Sequence, residues 1–254
     1  MSDVDVDVLA DPDLDAPVLL EGLPGVGLVG KLAVDHLIEE LESEPVRRIR
    51  SDWFPPAVAV DDEGTGRIAS LTLHAASVGD RDLLVLAGDV QAQESVGQYR
   101  VAKAVLEEAA TFGVETAVGI GGYGVGQEVE EYRVVGATGP DSEGFKARLS
   151  AAGVTFGEDE GPDQIVGMSG LLVGLGDARG LETAGLLGIT PGYYVDPASA
   201  RAILEVLQGA FDFEVSVERL DEEAEQVQEL LERLQQMQQE QQQEGGEEHL
   251  RYFG

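Results

Sequence analysis

A glycine-rich segment near the start of the sequence has the residue types and spacing of a phosphate-binding turn. It follows the apolar run 17–20, reads Gly-Val-Gly-Leu-Val-Gly-Lys and ends on Lys31, which matches the Gly-x-Gly-x-x-Gly pattern of a dinucleotide-binding turn. Leu32 stands where a phosphate loop needs Ser or Thr to bind magnesium. We therefore favour a tightly packed strand-to-helix turn and keep an anion or nucleotide site as the alternative. The glycines concerned are Gly25, Gly27 and Gly30.

A second glycine cluster, at residues 119–126, follows another predicted strand at 114–120. Ligands of open α/β sheets bind outside the carboxyl ends of the parallel strands, so this cluster is the best candidate for a cleft. Gln127, Glu128 and Glu130 follow it but provide no pair of base and nucleophile. A tight turn beside another backbone is the favoured interpretation, with a ligand turn as the alternative. The glycines that would face a ligand are Gly121, Gly122 and Gly124.

The residue types used most often for catalysis and metal binding are scarce or scattered. The chain has no cysteine, which excludes disulfides and thiol chemistry. His36, His74 and His249 are far apart and lack the spacing of metal ligands. Ser169, followed by glycine, is only a fragment of the Gly-x-Ser-x-Gly elbow of hydrolases. We therefore expect no catalytic residues, no metal and no cofactor, and a protein that is not an enzyme.

The charge of the chain is strongly one-sided. Its 254 residues include 49 acidic and 16 basic side chains, a formal net charge of −33. Such a field repels phosphates, which excludes nucleic acid as a partner. Only three of the basic residues are lysines, a balance that favours a halophilic source, with an acidic mesophilic protein as the alternative. No apolar run is long enough for a membrane span and the first residues do not look like a secretory signal, so we expect a cytoplasmic protein.

From residue 16 onward, short apolar runs alternate with segments of helical spacing. The runs lie at 17–20, 57–60, 68–73, 83–87 and 114–120. The helical segments lie at 28–41, 93–111, 145–151, 168–175 and 196–207. Strands separated by helices predict an α/β fold with a layered, mainly parallel sheet flanked by helices.

After residue 213 the composition changes to that of an amphipathic helix. Apolar residues recur there at steps of three and four, as in the a/d seam of a coiled coil, so we expect them to form an oligomer interface. The alternative is a helix packed back on its own core. The seam residues are Val217, Leu220, Ala224, Val227, Leu231 and Leu234.

We divide the chain into four parts on these grounds. They are an acidic N-terminal arm at 1–15, with an edge strand as the alternative, an α/β core at 16–212, the amphipathic helix at 213–238, and a flexible tether with an aromatic tail at 239–254. In the tail, Tyr252 and Phe253 stand beside the carboxylate of Gly254, and we do not expect them to be buried in the core because a hydrophilic tether precedes them. A terminal carboxylate next to aromatic rings suits a pocket with a cation and an apolar wall, which predicts a protein partner.

The order of these segments resembles the archaeal members of the proteasome-assembly-chaperone family. The resemblance rests on residues 20–30, the cluster at 119–126, the Gly-Leu-Leu-Gly at 185–188 and the acidic helix that follows, and it covers about residues 16–235. It implies a core like that of nucleoside phosphorylases without an established activity, a homo-oligomer, and docking on the α-ring of the 20S proteasome.

In that family setting the last three residues acquire a specific meaning. Proteasome-binding proteins commonly end in a hydrophobic residue, a tyrosine and any final residue, and Tyr252, Phe253 and Gly254 occupy those places here. Phe253 replaces the usual tyrosine. The resemblance thus implies a non-catalytic assembly chaperone or ATP-independent activator that inserts its tails between 20S α subunits. The alternative is a small-molecule or nucleotide-binding enzyme that uses the turns at 25–30 or 119–126.

Overall fold

The computed structural model describes residues 4–60, 64–157, 161–222 and 224–225, which fold as one α/β unit. Within these residues one large sheet carries most of the strands, and two short strands form a separate small sheet. The strands are β1 (Val4–Val8), β2 (Val18–Glu21), β3 (Glu44–Ser51), β4 (Val58–Val60), β5 (Gly66–Ile68), β6 (Leu71–Val78), β7 (Arg81–Gly88), β8 (Thr116–Gly124), β9 (Val134–Thr138), β10 (Val154–Thr155) and β11 (Glu182–Thr190). The helices are α1 (Val29–Glu40), α2 (Ser95–Thr111), α3 (Glu143–Ala151), α4 (Gly167–Asp177) and α5 (Pro197–Phe211).

The large sheet is mixed, with a parallel centre and antiparallel flanks. Its strand order is β1-β3-β6-β7-β2-β8-β11-β9-β10. The neighbours β7, β2, β8 and β11 all run parallel. On one side β1, β3 and β6 extend the sheet antiparallel, and on the other β9 pairs antiparallel with β11. The prediction of an α/β fold with flanking helices is confirmed, whereas the expectation of a mainly parallel sheet holds only for the centre.

Helices cover both faces of the central strands and create two cores. On one face α1, α3 and α5 pack against β2, β7 and β8 around Leu20, Val118 and Phe145. On the other face α2 and α4 pack around Leu19, Leu84 and neighbouring side chains. Strands β2, β7 and β8 are therefore apolar on both sides, which is why they appear in the sequence as continuous apolar runs rather than as an alternating pattern.

The N-terminal residues form an edge strand, so the expectation of a solvated arm is wrong. Strand β1 pairs with β3, and its Val4 and Val6 pack against one of the cores. The buried guanidinium of Arg47 holds the chain that follows, because it donates to the Ala10 carbonyl and to Asp11 at 2.8 Å. The alternating Asp and Val residues are thus the two faces of a strand.

Candidate functional site

Four parallel strands end at the same edge of the sheet and create a cleft there. Strands β7, β2, β8 and β11 run side by side in one direction, so their carboxyl ends meet at this edge. Beside them, between the loops that follow β2, β7 and β8 and the start of α4, lies a cleft of about 660 Å³. This is the edge at which open α/β sheets bind ligands. We call this cavity the carboxyl-edge cleft.

The fold brings both glycine clusters to the carboxyl-edge cleft. Its wall includes Gly25 from the first cluster. From the second cluster it includes Gly121, Gly122 and Gly124. Gly27 and Gly30, in contrast, lie away from its lining and pack against other parts of the chain. The sequence therefore located the cleft through the second cluster.

Several of these glycines are required by backbone packing. A Cβ atom on Gly30 would meet the Ile120 carbonyl of β8 closer than 3.0 Å, and one on Gly22 would meet the backbone of Gly30. A Cβ atom on Gly122 would in the same way meet the carbonyl oxygen of Val26. At these positions two backbone segments lie so close together that only glycine, which has no Cβ atom, fits between them. This agrees with the interpretation that the glycines serve packing.

The lysine of the first glycine segment is held away from the role of a phosphate ligand. Its ammonium Nζ lies 2.7 Å from a carboxylate oxygen of Asp35 and 2.6 Å from one of Asp89. The turn is also tied to another part of the chain, since the Gly27 carbonyl oxygen accepts a hydrogen bond from the backbone N–H of Asp196. A phosphate here would have to displace two carboxylates from Lys31, so the geometry argues against a nucleotide site at Gly25–Gly30.

A buried carboxyl group lies behind the cleft wall, and the sequence analysis did not identify it. Glu21, at the end of β2, is 1% exposed and accepts hydrogen bonds from the Ser169 hydroxyl at 2.8 Å and from the Leu23 N–H at 3.1 Å. Burial raises the pKa of Glu21 to about 7, although both hydrogen bonds act in the opposite direction. The signal in the sequence was a single glutamate at the end of an otherwise apolar strand.

The Glu21–Ser169 contact joins two elements that form the cleft. Ser169 lies in the first turn of α4 and lines the cleft, while Glu21 belongs to the central strand β2. Gly119 makes this approach feasible, because a Cβ atom there would lie 2.6 Å from the Ser169 Cα. The hydrogen bond therefore fixes the amino end of α4 over the sheet. Among the described residues, no group of three His, Asp or Glu side chains is placed to hold a metal ion.

The chain beyond α5 packs against α1. The His36 Nε2 lies 2.6 Å from the Ser216 carbonyl oxygen. Arg219 contacts Glu39 and Glu40, each at 3.3 Å. These contacts fix the place at which the C-terminal segment leaves the core.

The same packing corrects part of the predicted oligomer interface. Leu220 is fully buried and Ala224 is 4% exposed, and both belong to the core around α1 and α5, with Val217 packed against it. Residues buried inside one chain cannot contact a second chain, so at these positions the helix packs back on its own core. Three seam residues and all three tail residues lie outside the described part of the chain. They are Val227, Leu231, Leu234, Tyr252, Phe253 and Gly254.

Along the part of the chain that the structure describes, no helix combines the length and apolar character needed to cross a membrane. The longest of the described helices, α2, has 17 residues and carries charged side chains among its apolar ones.

Comparison with known proteins relates most of the chain to other archaeal sequences and to solved structures. An uncharacterized protein of Methanocaldococcus jannaschii is 35% identical over 211 residues, which cover 83% of this chain and 80% of that protein. The crystal structure of Pyrococcus furiosus PbaB, an archaeal proteasome activator, is 34% identical with a TM-score of 0.82 and covers 92% of this chain and 100% of its own.

A further structure and a family model agree with this relationship. P. furiosus PbaA, an archaeal homolog of proteasome-assembly chaperone, is 28% identical with a TM-score of 0.75, covering 94% of this chain and 99% of its own. The model of the PAC2 family matches residues 19–235, which span the sheet from β2 onward, all five described helices and the beginning of the segment beyond α5. The chain therefore belongs to the PAC2 family.

Proposed function

We propose that this chain is a non-catalytic proteasome-binding protein, either an assembly chaperone or an ATP-independent activator. The observation that carries the proposal is the similarity to the proteasome activator PbaB, which extends over 92% of this chain at 34% identity. The similarity to PbaA, a homolog of proteasome-assembly chaperone, supports the same class of function. The partners we propose are the α subunits of the 20S proteasome.

We place the proteasome contact in the C-terminal tail. The core fixes the start of the segment, because Ser216 and Arg219 are bound to α1. The polar sequence from 239 onward then supplies a tether that ends in Tyr252, Phe253 and Gly254. In this arrangement the carboxylate meets a cation between two α subunits and the aromatic rings fill the adjacent apolar wall.

We further propose that several copies assemble and present several tails together. Leu220 and Ala224 are buried in the core, so the part of the predicted seam that would join chains is Val227, Leu231 and Leu234. Weak single insertions would then add through effective concentration. The phosphorylase-like core that the resemblance implies and the coiled coil that the apolar spacing predicts belong to the same proposal.

The alternative of a nucleotide-binding enzyme has less support. Lys31 is bound to Asp35 and Asp89, and the Gly27 carbonyl is bound to the chain before α5. The first glycine segment thus lacks a cation that could reach a phosphate.

Removing the last three residues is expected to weaken binding to the 20S proteasome at least tenfold. The deletion takes away the aromatic rings and moves the carboxylate, whereas the core and its attachment to α1 stay intact. Binding is measured by surface plasmon resonance on immobilised 20S proteasome in high salt. The matched controls are a tail of the same length that ends in Tyr-Gly-Phe, which has no aromatic ring at the penultimate place and should also fail, and Phe253→Tyr, which adds a hydroxyl worth about 0.5–1.5 kcal/mol and should tighten binding. Equal binding by the full chain and the deletion would move the contact to the core, and the absence of any binding would reject the proposed function.

We also propose that the chain works in high salt, and its stability is expected to rise with salt concentration. At a net charge of −33 the folded chain repels itself, and the Debye length falls from about 10 Å at 0.1 M to about 3 Å at 1 M salt. The thermal midpoint should rise by at least about 4 °C over this range, which for a chain of this size corresponds to about 1–2 kcal/mol. Scanning calorimetry in KCl measures it, and a midpoint that stays constant between the two concentrations would contradict a halophilic origin.

A further inference from the structure

The carboxyl-edge cleft differs from the rest of the chain in its charge. None of its twenty lining residues within the described part of the chain is an Asp, Glu, Lys, Arg or His. In the whole sequence 26% of the residues are charged, and acidic side chains outnumber basic ones three to one. A charged ligand would have to give up its hydration in such a cleft without gaining an ionic partner. The lining therefore favours an uncharged ligand.

The polar side chains of the described cleft lining are amides and the hydroxyls of Ser169 and Tyr123. Four glutamines contribute to the lining, and two of them are fixed in place. The Gln91 amide nitrogen donates to the Pro24 carbonyl at 2.6 Å, and the Gln98 amide nitrogen donates to the Ala92 carbonyl at 3.1 Å. Each of these hydrogen bonds orients its amide, whose second N–H can donate to a ligand and whose carbonyl oxygen can accept from one. The other two are Gln93 and Gln164.

The amino end of α4 supplies a donor and an acceptor side by side. The Ser169 hydroxyl donates to Glu21, so its oxygen can only accept from a further group. The first turn of α4 has no side-chain cap, and its N–H groups are the donors that a helix start leaves unpaired. One acceptor next to one set of donors matches an amide group, which has an N–H and a C=O.

Apolar side chains provide the rest of the surface. Ile165, Met168 and Leu187 line the wall, and at the rim Val26 is 44% exposed and Val166 is 74% exposed. An apolar wall with a few placed polar groups and a volume of about 660 Å³ is typical of a site for one small ligand or a short chain segment.

We propose that the carboxyl-edge cleft binds a short, extended peptide segment of uncharged residues. Each unit of such a segment carries an amide that matches the glutamines and the start of α4, and a side chain that can pack on the apolar wall. A phosphate, a nucleotide or a carboxylate does not fit, because the described lining offers no cation. The inference does not rest on tail docking, since all the described lining residues of the cleft belong to the core.

Calorimetric titration with three capped peptides tests the proposal. The probe is the pentapeptide Leu-Gln-Ala-Leu-Gly with an acetylated amino end and an amidated carboxyl end, and the two others carry Lys or Glu in place of the central Ala. The neutral peptide is expected to bind with a dissociation constant at least tenfold lower than either charged one. Affinities within twofold of one another, preference for the Lys peptide, or no saturation at millimolar concentration would each overturn the proposal.

Two sets of variants locate the binding. Gly121→Leu fills the cleft, because even a Cβ atom there would lie 3.1 Å from the Leu187 Cδ2, and it should abolish binding. Its control is Gly144→Leu, at a glycine on α3 with no atom near an added Cβ. If Gly121→Leu fails to fold, the double variant Gln93→Ala with Gln164→Ala changes exposed amides at the rim and should weaken binding at least fivefold, with Gln127→Ala as control.

The same experiment separates this inference from the proteasome contact. The chain without its last three residues should bind the neutral peptide as well as the full chain does, and Gly121→Leu should bind the proteasome unchanged. Native mass spectrometry of the purified protein completes the test. A neutral small molecule retained by the protein and competing with the peptide would replace the peptide as the occupant.

Discussion

Replacing Gly30 with alanine is expected to destabilise the fold by more than about 4 kcal/mol, which is at the upper end for a single substitution. A Cβ atom on Gly30 would meet the carbonyl oxygen of Ile120 at less than 3.0 Å and would also press on Gly22. Both neighbours are backbone groups at the junction of α1, β2 and β8, so no side chain can rotate to make room. Either the first turn of α1 or the end of a central strand has to move.

The matched control for this prediction is Gly25→Ala, in the same glycine segment. Gly25 has an extended backbone with φ −153°, and the nearest atom to an added Cβ would be the Leu23 carbonyl oxygen at 3.8 Å. Its effect should stay within about 0.5 kcal/mol. Urea unfolding followed by circular dichroism, in 1 M KCl for all forms, measures both variants.

The comparison of the two variants decides what the glycine pattern is for. If Gly30 is required by packing, Gly30→Ala fails to fold or unfolds at much lower urea, and Gly25→Ala behaves like the parent. Equal stability of both variants would contradict the packing explanation and would reopen a ligand role for the turn.

The sequence could not distinguish these roles, because the deciding contact is remote in the chain. The spacing of Gly25, Gly27 and Gly30 is the same in a dinucleotide-binding turn and in a tight crossing. Only the register of β8 beside β2 shows that Ile120 passes over Gly30. Of the two carboxylates that bind Lys31, Asp35 belongs to α1 and Asp89 to the loop after β7. A local sequence pattern could not show the contact with Asp89, because that residue is remote in the chain.

Helices were predicted more reliably than strands, for a physical reason. Helices α2, α4 and α5 show amphipathic spacing or clear start signals, such as the cap of Asp196, whose carboxylate accepts from the Ser199 N–H before Pro197 opens the helix. Strand β3 was missed because its face away from α2 carries Arg48 and Arg50 and it contains no continuous apolar run. Burial on both faces made β2, β7 and β8 visible as apolar runs. Strand β11 is just as buried but was missed, because threonine and glycine residues interrupt its apolar ones.

The heptad pattern after α5 shows a different limit. A stripe of apolar residues at steps of three and four demands burial but does not identify the surface that buries it. For Leu220 and Ala224 that surface is the chain's own core. The cleft could be located from the glycines of β8, but its uncharged lining is assembled from separate loops and emerges only in three dimensions.

Replacing Glu21 with glutamine is expected to stabilise the protein at pH 8 but not at pH 4. In the unfolded chain this carboxyl titrates near 4.5, and burial raises its pKa in the folded chain to about 7. Below pH 4.5 both states are protonated and there is no penalty. Between these values the unfolded state loses its proton first, so folding becomes less favourable as the pH rises. A shift from 4.5 to about 7, at 1.36 kcal/mol per unit, gives a penalty of about 3 kcal/mol above pH 7.

Glutamine avoids this penalty and keeps the local hydrogen bonds. Its carbonyl oxygen can accept from the Leu23 N–H, and its amide N–H can donate to the Ser169 oxygen. The Ser169 hydroxyl can then donate to the Ile120 carbonyl, whose oxygen lies 3.3 Å away. The difference in unfolding free energy between Glu21→Gln and the parent should therefore grow by about 3 kcal/mol from pH 4 to pH 8. The control Glu115→Gln removes one negative charge from an exposed position and reports the effect of net charge alone.

A second substitution checks the cause of the pH dependence. The hydrogen bond from Ser169 lowers the pKa of Glu21 and partly offsets burial, so Ser169→Ala should raise that pKa further and steepen the loss of stability between pH 7 and pH 8. In the double variant with Glu21→Gln this extra slope should disappear, because the group that titrates is gone. If Ser169→Ala lowers stability equally at every pH, the hydroxyl acts through packing of α4 alone. A pH-independent difference between Glu21→Gln and the parent would in turn show that the carboxyl group ionises in the folded chain as readily as in the unfolded one.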